Sequence, residues 1–176
     1  MNDDLIHESV RIVLLNEKNE ILLMKVEDPS TRSVDGTYHG PCWFLIGGEI
    51  EPGEKLESTV YREIREETGI KESEISLISE IWFGEFPLIF SGKSRLMKQR
   101  FFLARTPRQE LDLSGLTDKE KKVVQSIEWF SLSRMRDSQE VIYPVGLDSY
   151  LEPILSGCIP VKPQRIILDR KPDRKS

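Results

Sequence analysis

Cysteine is scarce in this chain, and the two residues present, Cys42 and Cys158, stand far apart and outside any metal-ligand spacing. That argues against a disulfide framework or a thiolate zinc site and makes the reducing cytoplasm the expected compartment. Long apolar runs are absent as well. Ile12 to Leu15 and Ile21 to Met24 have the length of strands, well short of the roughly 18 apolar residues that a membrane span needs. Met1, Asn2, Asp3 and Asp4 bring acidic charge where a targeting leader would carry basic charge, so no leader is expected. A basic excess is missing too: 25 Lys and Arg against 30 Asp and Glu leave a net charge of -5, which argues against stable nucleic-acid binding through phosphates.

What is present suits one soluble core. At 176 residues, 38% of them hydrophobic, the chain is too short for two ordinary domains, and residues 1–160 read as a single α/β domain. From Lys162 onward, six basic residues face Asp169 and Asp173, so 161–176 reads as a mobile basic tail whose removal leaves the chemistry intact. Glu8 to Leu15 and Ile21 to Val26 flank the turn-like Asn16 to Asn19 and predict a hairpin. Asp28 to Pro41 reads as a surface loop, and Trp43 to Ile46 as a short buried strand that stops at Gly47 and Gly48. A helix follows, with Leu56, Val60 and Ile64 on one face and Gly69 at the position of a left-handed cap. Ile75 to Phe90, Gln99 to Arg105 and Ile127 to Phe130 are further strands, with Ser91 to Ser94 as a loop. Thr117 opens a helix, and Leu147 to Leu155 predicts a last one despite Pro153.

The chemistry concentrates between Gly48 and Ile70. With about 3.6 residues per turn, Glu63, Glu66 and Glu67 fall at i, i+3 and i+4, so three carboxylates share one patch and repel unless something positive neutralises them. Hard oxygen donors without nearby Cys or His favour Mg²⁺ or Mn²⁺, which share their shell with water and substrate phosphates. Gly47 and Gly48 let the backbone approach metal or phosphate where a side chain would obstruct it. The substrate expected from this pattern is a phosphate ester or anhydride.

Gly48, Glu54, Arg62, Glu63, Ile64, Glu66, Glu67, Gly69 and Ile70 stand at the separations of the Nudix box, and the sequence resembles the Nudix hydrolase superfamily. Coincidence at nine fixed positions would arise roughly once in ten million chains of this length or less often. The resemblance implies an α/β/α sandwich around a mixed β-sheet and metal-dependent hydrolysis of a nucleoside diphosphate linked to another moiety. It makes Glu63, Glu66 and Glu67 metal ligands, one of them available as a base, with Arg62 and Glu54 supporting them. It also implies a further catalytic glutamate outside the box, for which Glu120 is the candidate and Glu85 and Glu110 the runners-up. Ile46 replaces the proline that many relatives carry before the glycine pair, and Lys55 replaces a small hydroxyl residue at the helix start, which predicts weaker capping.

Substrate choice lies outside the box. Pro87 falls close to a proline associated with ADP-ribose pyrophosphatases, which makes ADP-ribose-like compounds the first to assay, ahead of NTPs and dinucleoside polyphosphates. Arg32, Lys93, Arg95 and Lys98 are available to help offset phosphate charge, and Trp43, Trp82, Phe83 and Phe86 to stack a base. The expected partner is a small nucleotide. A homodimer is compatible with the resemblance. A non-hydrolytic nucleotide-binding module is the alternative of another class; its usual mark is a lost box carboxylate, and all are present.

Overall fold

The computed structural model describes residues 6–33 and 40–172. The chain opens with β1 (Ile6–Leu15) and β2 (Ile21–Val26), which pair only next to their turn, Leu15 opposite Ile21. A short β3 (Thr31–Ser33) lies inside the expected loop of 28–41, of which 34–39 fall outside the described residues. β4 (Cys42–Glu49) then fills the fork between the first two strands. Its first half pairs with β2, Leu45 opposite Leu23, and its second half with β1, Gly48 opposite Val10. The strand therefore runs through the glycine pair instead of stopping there. Gly47 permits this because its φ is +142° and a Cβ would sit 2.1 Å from the Val10 carbonyl oxygen.

α1 (Leu56–Thr68) leads into β5 (Ser76–Phe90), which turns tightly at Ser91 and Gly92 into β6 (Lys93–Arg105). β6 begins six residues earlier than the sequence pattern predicts, because its first half is polar and half-exposed and lacks a strand's apolar signature. β6 runs parallel to the whole of β1, from Ile6 opposite Leu96 to Leu15 opposite Arg105. α2 (Asp118–Val123) opens on Thr117 as expected, β7 (Val124–Phe130) pairs with β2, and α3 (Leu132–Asp137) follows. β8 (Ile142–Tyr143) pairs parallel with β4, and α4 (Leu147–Leu155) accommodates Pro153 because it ends two residues later.

The mixed sheet separates two cores, as an α/β/α sandwich requires. Val10, Ile12 and Leu14 of β1 pack with Val60 and Ile64 of α1, while Val13 and Leu15 face Leu151 and Ile154 of α4. This is the period-two alternation of a strand covered on both faces. Among the described residues no helix is long and apolar enough to cross a membrane.

The expected mobile tail is, over its described part, a piece of the domain. β9 (Gln164–Arg165) pairs parallel with β5, the Ile166 N–H donates to the Phe83 carbonyl at 2.9 Å, and the Val145 N–H donates to the Leu168 carbonyl at 2.9 Å. Ile166 and Leu168 are buried in the α4-side core while Lys162 and Arg165 point outward. Net basic charge hid a two-residue strand and the buried apolar side chains that follow it. Leu168→Ala is therefore expected to cost about 2–5 kcal/mol of unfolding free energy, and truncation after Pro160 to cost more; urea unfolding curves measure both.

Candidate active site

The site is built where β4 leaves the sheet and α1 begins. Lys55 makes no side-chain cap, as its type predicts. Instead Glu54 ties the turn to the helix, its Oε2 accepting from the Thr59 hydroxyl at 2.7 Å and the Glu51 N–H at 3.1 Å. At the other end Gly69 adopts φ 74° and donates its N–H to the Arg65 carbonyl, the left-handed cap anticipated from the sequence.

Arg62 organises the interior of this frame. Its Nε and Nη2 grip both oxygens of Glu54 at 2.8 and 3.0 Å, Nη1 donates to Glu63 at 2.7 Å and to Glu66 at 3.3 Å, and Nη2 also reaches the Glu49 carbonyl at 3.0 Å. Paired in this way, Glu54 is held down to a pKa of about 2, chiefly by its hydrogen bond from Arg62.

Glu63 and Glu67 lie one turn apart and are 5% and 3% exposed, so the helix buries both carboxylates while Glu66 stays near solvent. Glu63 rests against the backbone of Gly48, where a Cβ would come within 2.4 Å of its Oε1. Glu67 accepts from the Gly47 N–H at 2.9 Å. Burial pushes the pKa of Glu63 upward against the pull of Arg62; it pushes Glu67 well above the usual carboxylate range, with the Glu63 charge adding to the effect. Arg11, desolvated beneath them, lends positive charge to both.

The candidates from sequence thus come together in part. Glu54, Arg62, Glu63, Glu66, Glu67, Gly47 and Gly48 form one assembly. Glu120 belongs to a capping box, its carboxylate accepting from the Thr117 N–H at 2.7 Å, yet it is close enough to Glu67 for its charge to raise the Glu67 pKa. Glu85 lies on β5, 3.9 Å from Arg165, and Glu110 is exposed. Trp43 and Trp82 are core residues, Phe83 is exposed, and Phe86 stacks on Tyr143. Arg95 bonds to His7, and no ion pair links Arg32, Lys93, Arg95 or Lys98 to a box glutamate among the described residues.

Among the described residues no three His, Cys, Asp or Glu side chains are gathered as tightly as a metal ion demands. Arg62 stands between Glu63 and Glu66, and Glu67 is turned to the backbone. The donor chemistry nevertheless fits a hard dication: two buried carboxylates with raised pKa values, a third at the rim, and only oxygen donors.

The NUDIX domain model matches residues 5–145. The chain belongs to the Nudix family. A Bacillus subtilis protein provisionally named 8-oxo-dGTP diphosphatase is 41% identical over 58 residues, 33% of this chain and 32% of that one. The RNA pyrophosphohydrolase of Wolbachia pipientis is 26% identical over 111 residues, 60% of this chain and 62% of its own. The chain therefore spans less than two thirds of either relative. The crystal structure of a MutT protein from Methanosarcina mazei Go1, 22% identical, shares the fold with a TM-score of 0.59 over 86% of this chain and 94% of that one.

In this Nudix domain the raised carboxylates set the pH response of the metal-free protein. A group whose pKa is higher folded than unfolded binds more protons when folded, so stability falls as pH rises from the ordinary glutamate value of 4.5 through the raised values. Glu54 acts oppositely, and its contribution is lost as pH falls from 4.5 toward about 2. The expected outcome is a metal-free melting temperature that rises as pH falls toward 4.5 and falls again below that value. Adding Mg²⁺ should release protons to an extent that grows as pH falls toward 4.5, measured by calorimetry in buffers of different ionisation enthalpy.

Proposed function

We propose that this Nudix chain is a metal-dependent hydrolase that cleaves a phosphoanhydride in a nucleoside diphosphate linked to another moiety. ADP-ribose-like compounds are the first substrates to assay, with NTPs and dinucleoside polyphosphates as alternatives. The buried Glu63 and Glu67 pair, fixed by Arg62 and the glycine strand, carries the proposal. A pair whose ionisation is resisted by burial and by its own repulsion is a place prepared for a cation. The names of the relatives, 8-oxo-dGTP diphosphatase and RNA pyrophosphohydrolase, belong to those proteins and support the same class of bond.

Glu63, Glu66 and Glu67 would hold Mg²⁺ or Mn²⁺, which supplies charge neutralisation of phosphate oxygens and makes an attacking water more acidic. The chain's own residues do the rest. Arg62 keeps Glu63 turned inward and holds Glu66 nearby, and Glu54 keeps Arg62 from wandering. A box glutamate, or Glu120 once released from its cap, accepts the proton of the water as it adds to phosphorus. The bridging P–O bond breaks, and the leaving phosphate departs with a terminal oxygen.

A panel of nucleotides incubated with Mg²⁺, Mn²⁺ or excess EDTA, with products separated by chromatography, tests this. Turnover is expected only with metal, and binding without turnover on every substrate would favour the non-hydrolytic module. Glu67→Gln preserves size and removes the buried charge. Turnover is expected to fall by about two orders of magnitude or more, while the metal-free melting temperature holds or rises; both are measured on one preparation across a Mg²⁺ titration.

A further inference from the structure

One charged side chain is set into the α4 side of the sheet among apolar ones. β1 turns Arg11 there together with Val13 and Leu15, into a small cleft that it shares with Phe101 and Leu168. Its Nε is shut off from solvent, and it forms no ion pair among the described residues. A buried guanidinium without a carboxylate in contact is unfavourable unless other groups hold it. Here the backbone of β4 does so: Nη1 donates to the Leu45 carbonyl at 3.3 Å and to the Gly47 carbonyl at 3.4 Å.

Those two carbonyls belong to the peptide groups on either side of the one that carries the Gly47 N–H. That middle N–H donates to Glu67 at 2.9 Å, on the α1 side. Three successive peptide groups of β4 are thus divided between the two faces, the outer pair held by Arg11 and the middle one offered to a box carboxylate. The register makes this possible, because Arg11 stands directly opposite Gly47 in the pairing of β1 with β4. The segment also needs a hold. Gly47 has φ +142°, and a glycine has the widest choice of peptide orientations, so nothing in its own side chain aims its N–H.

We infer that Arg11 is a positioning residue for the box: by bridging the Leu45 and Gly47 carbonyls it aims the Gly47 N–H at Glu67 and so fixes a carboxylate that the metal needs. The inference rests on the proposed metal site and adds to it a residue from outside the box, on the other face of the sheet. Two rival roles make different forecasts. If Arg11 acted only through its charge, removing it would leave the carboxylates more negative and a dication would bind more tightly. If it acted only through packing, its loss would lower the melting temperature and leave metal affinity alone.

Calorimetric titration of the nucleotide-free protein with Mg²⁺ separates these cases, together with NMR-detected amide exchange of the metal-free protein at Gly47, read against Leu103 in the buried part of β6. Arg11→Met removes donor and charge. It is expected to bind Mg²⁺ about tenfold more weakly or worse, as do proteins that lose a group orienting a metal ligand. Exchange at Gly47 should rise about tenfold relative to Leu103, the sign of local loosening. Arg11→Lys keeps a charged donor one atom shorter and should fall between Arg11→Met and wild type on both measures. Tighter Mg²⁺ binding by Arg11→Met overturns the assignment, as does unchanged exchange at Gly47 or an Arg11→Lys protein no better than Arg11→Met. A lower melting temperature with affinity and relative exchange unchanged overturns it too and leaves Arg11 a packing residue. Should Arg11→Met fail to fold, Arg11→Lys decides alone: weaker Mg²⁺ binding with faster relative exchange at Gly47 supports the inference, and a wild-type value of either overturns it. Wild type that binds no Mg²⁺ overturns this inference and the metal site together. Since no readout needs a substrate, the expected results in a protein that hydrolyses nothing would sink the hydrolase proposal alone.

Discussion

The guanidinium of Arg62 holds the candidate site together. One planar group joins the turn after β4, through Glu54 and the Glu49 carbonyl, to the helix face that carries Glu63 and Glu66. Lysine could supply the charge but not the fork, because the bidentate grip on Glu54 needs two donors in one plane. That grip ties the turn, the helix start and the inward carboxylate to one another.

Around it the site is a balance of unlike burdens. Two glutamates are buried where solvent cannot screen them, and Arg11 beneath offsets them at the expense of its own hydration. The backbone contributes too: Gly47 offers an N–H to Glu67 on one side and a carbonyl to Arg11 on the other. A single residue therefore touches both the carboxylate pair and the opposite face of the sheet, and only glycine adopts its φ while passing so close to Val10.

How legible this was in the sequence depended on how local each cause was. The box helix, its Gly69 cap, the weak start at Lys55 and the Thr117 start of α2 all rest on residues within a turn of one another, and the sequence displays them. β3, β8 and β9 are two or three residues long and exist because a neighbouring strand edge accepts them, so no periodicity announces them. Ile166 and Leu168 were obscured by surrounding basic residues. Glu120 as a candidate came from resemblance; its spacing from Thr117 shows the helix start, but its nearness to Glu67 needed the fold. Arg11 did leave a signal, a lone charge inside the otherwise apolar run from Val10 to Leu15, but its meaning needed the register that sets Gly47 opposite it.

The pairing of β1 with β6 along its full length also dictates when the molecule can form. The first strand waits through some eighty intervening residues for its neighbour, and the α4-side core then waits for Ile166 and Leu168. On a ribosome that core stays open until residue 168 has cleared the exit tunnel, so an apolar sheet face is exposed for most of synthesis. Folding dominated by such distant partners is slow, and a bare sheet face during that interval is the part of the chain most exposed to aggregation.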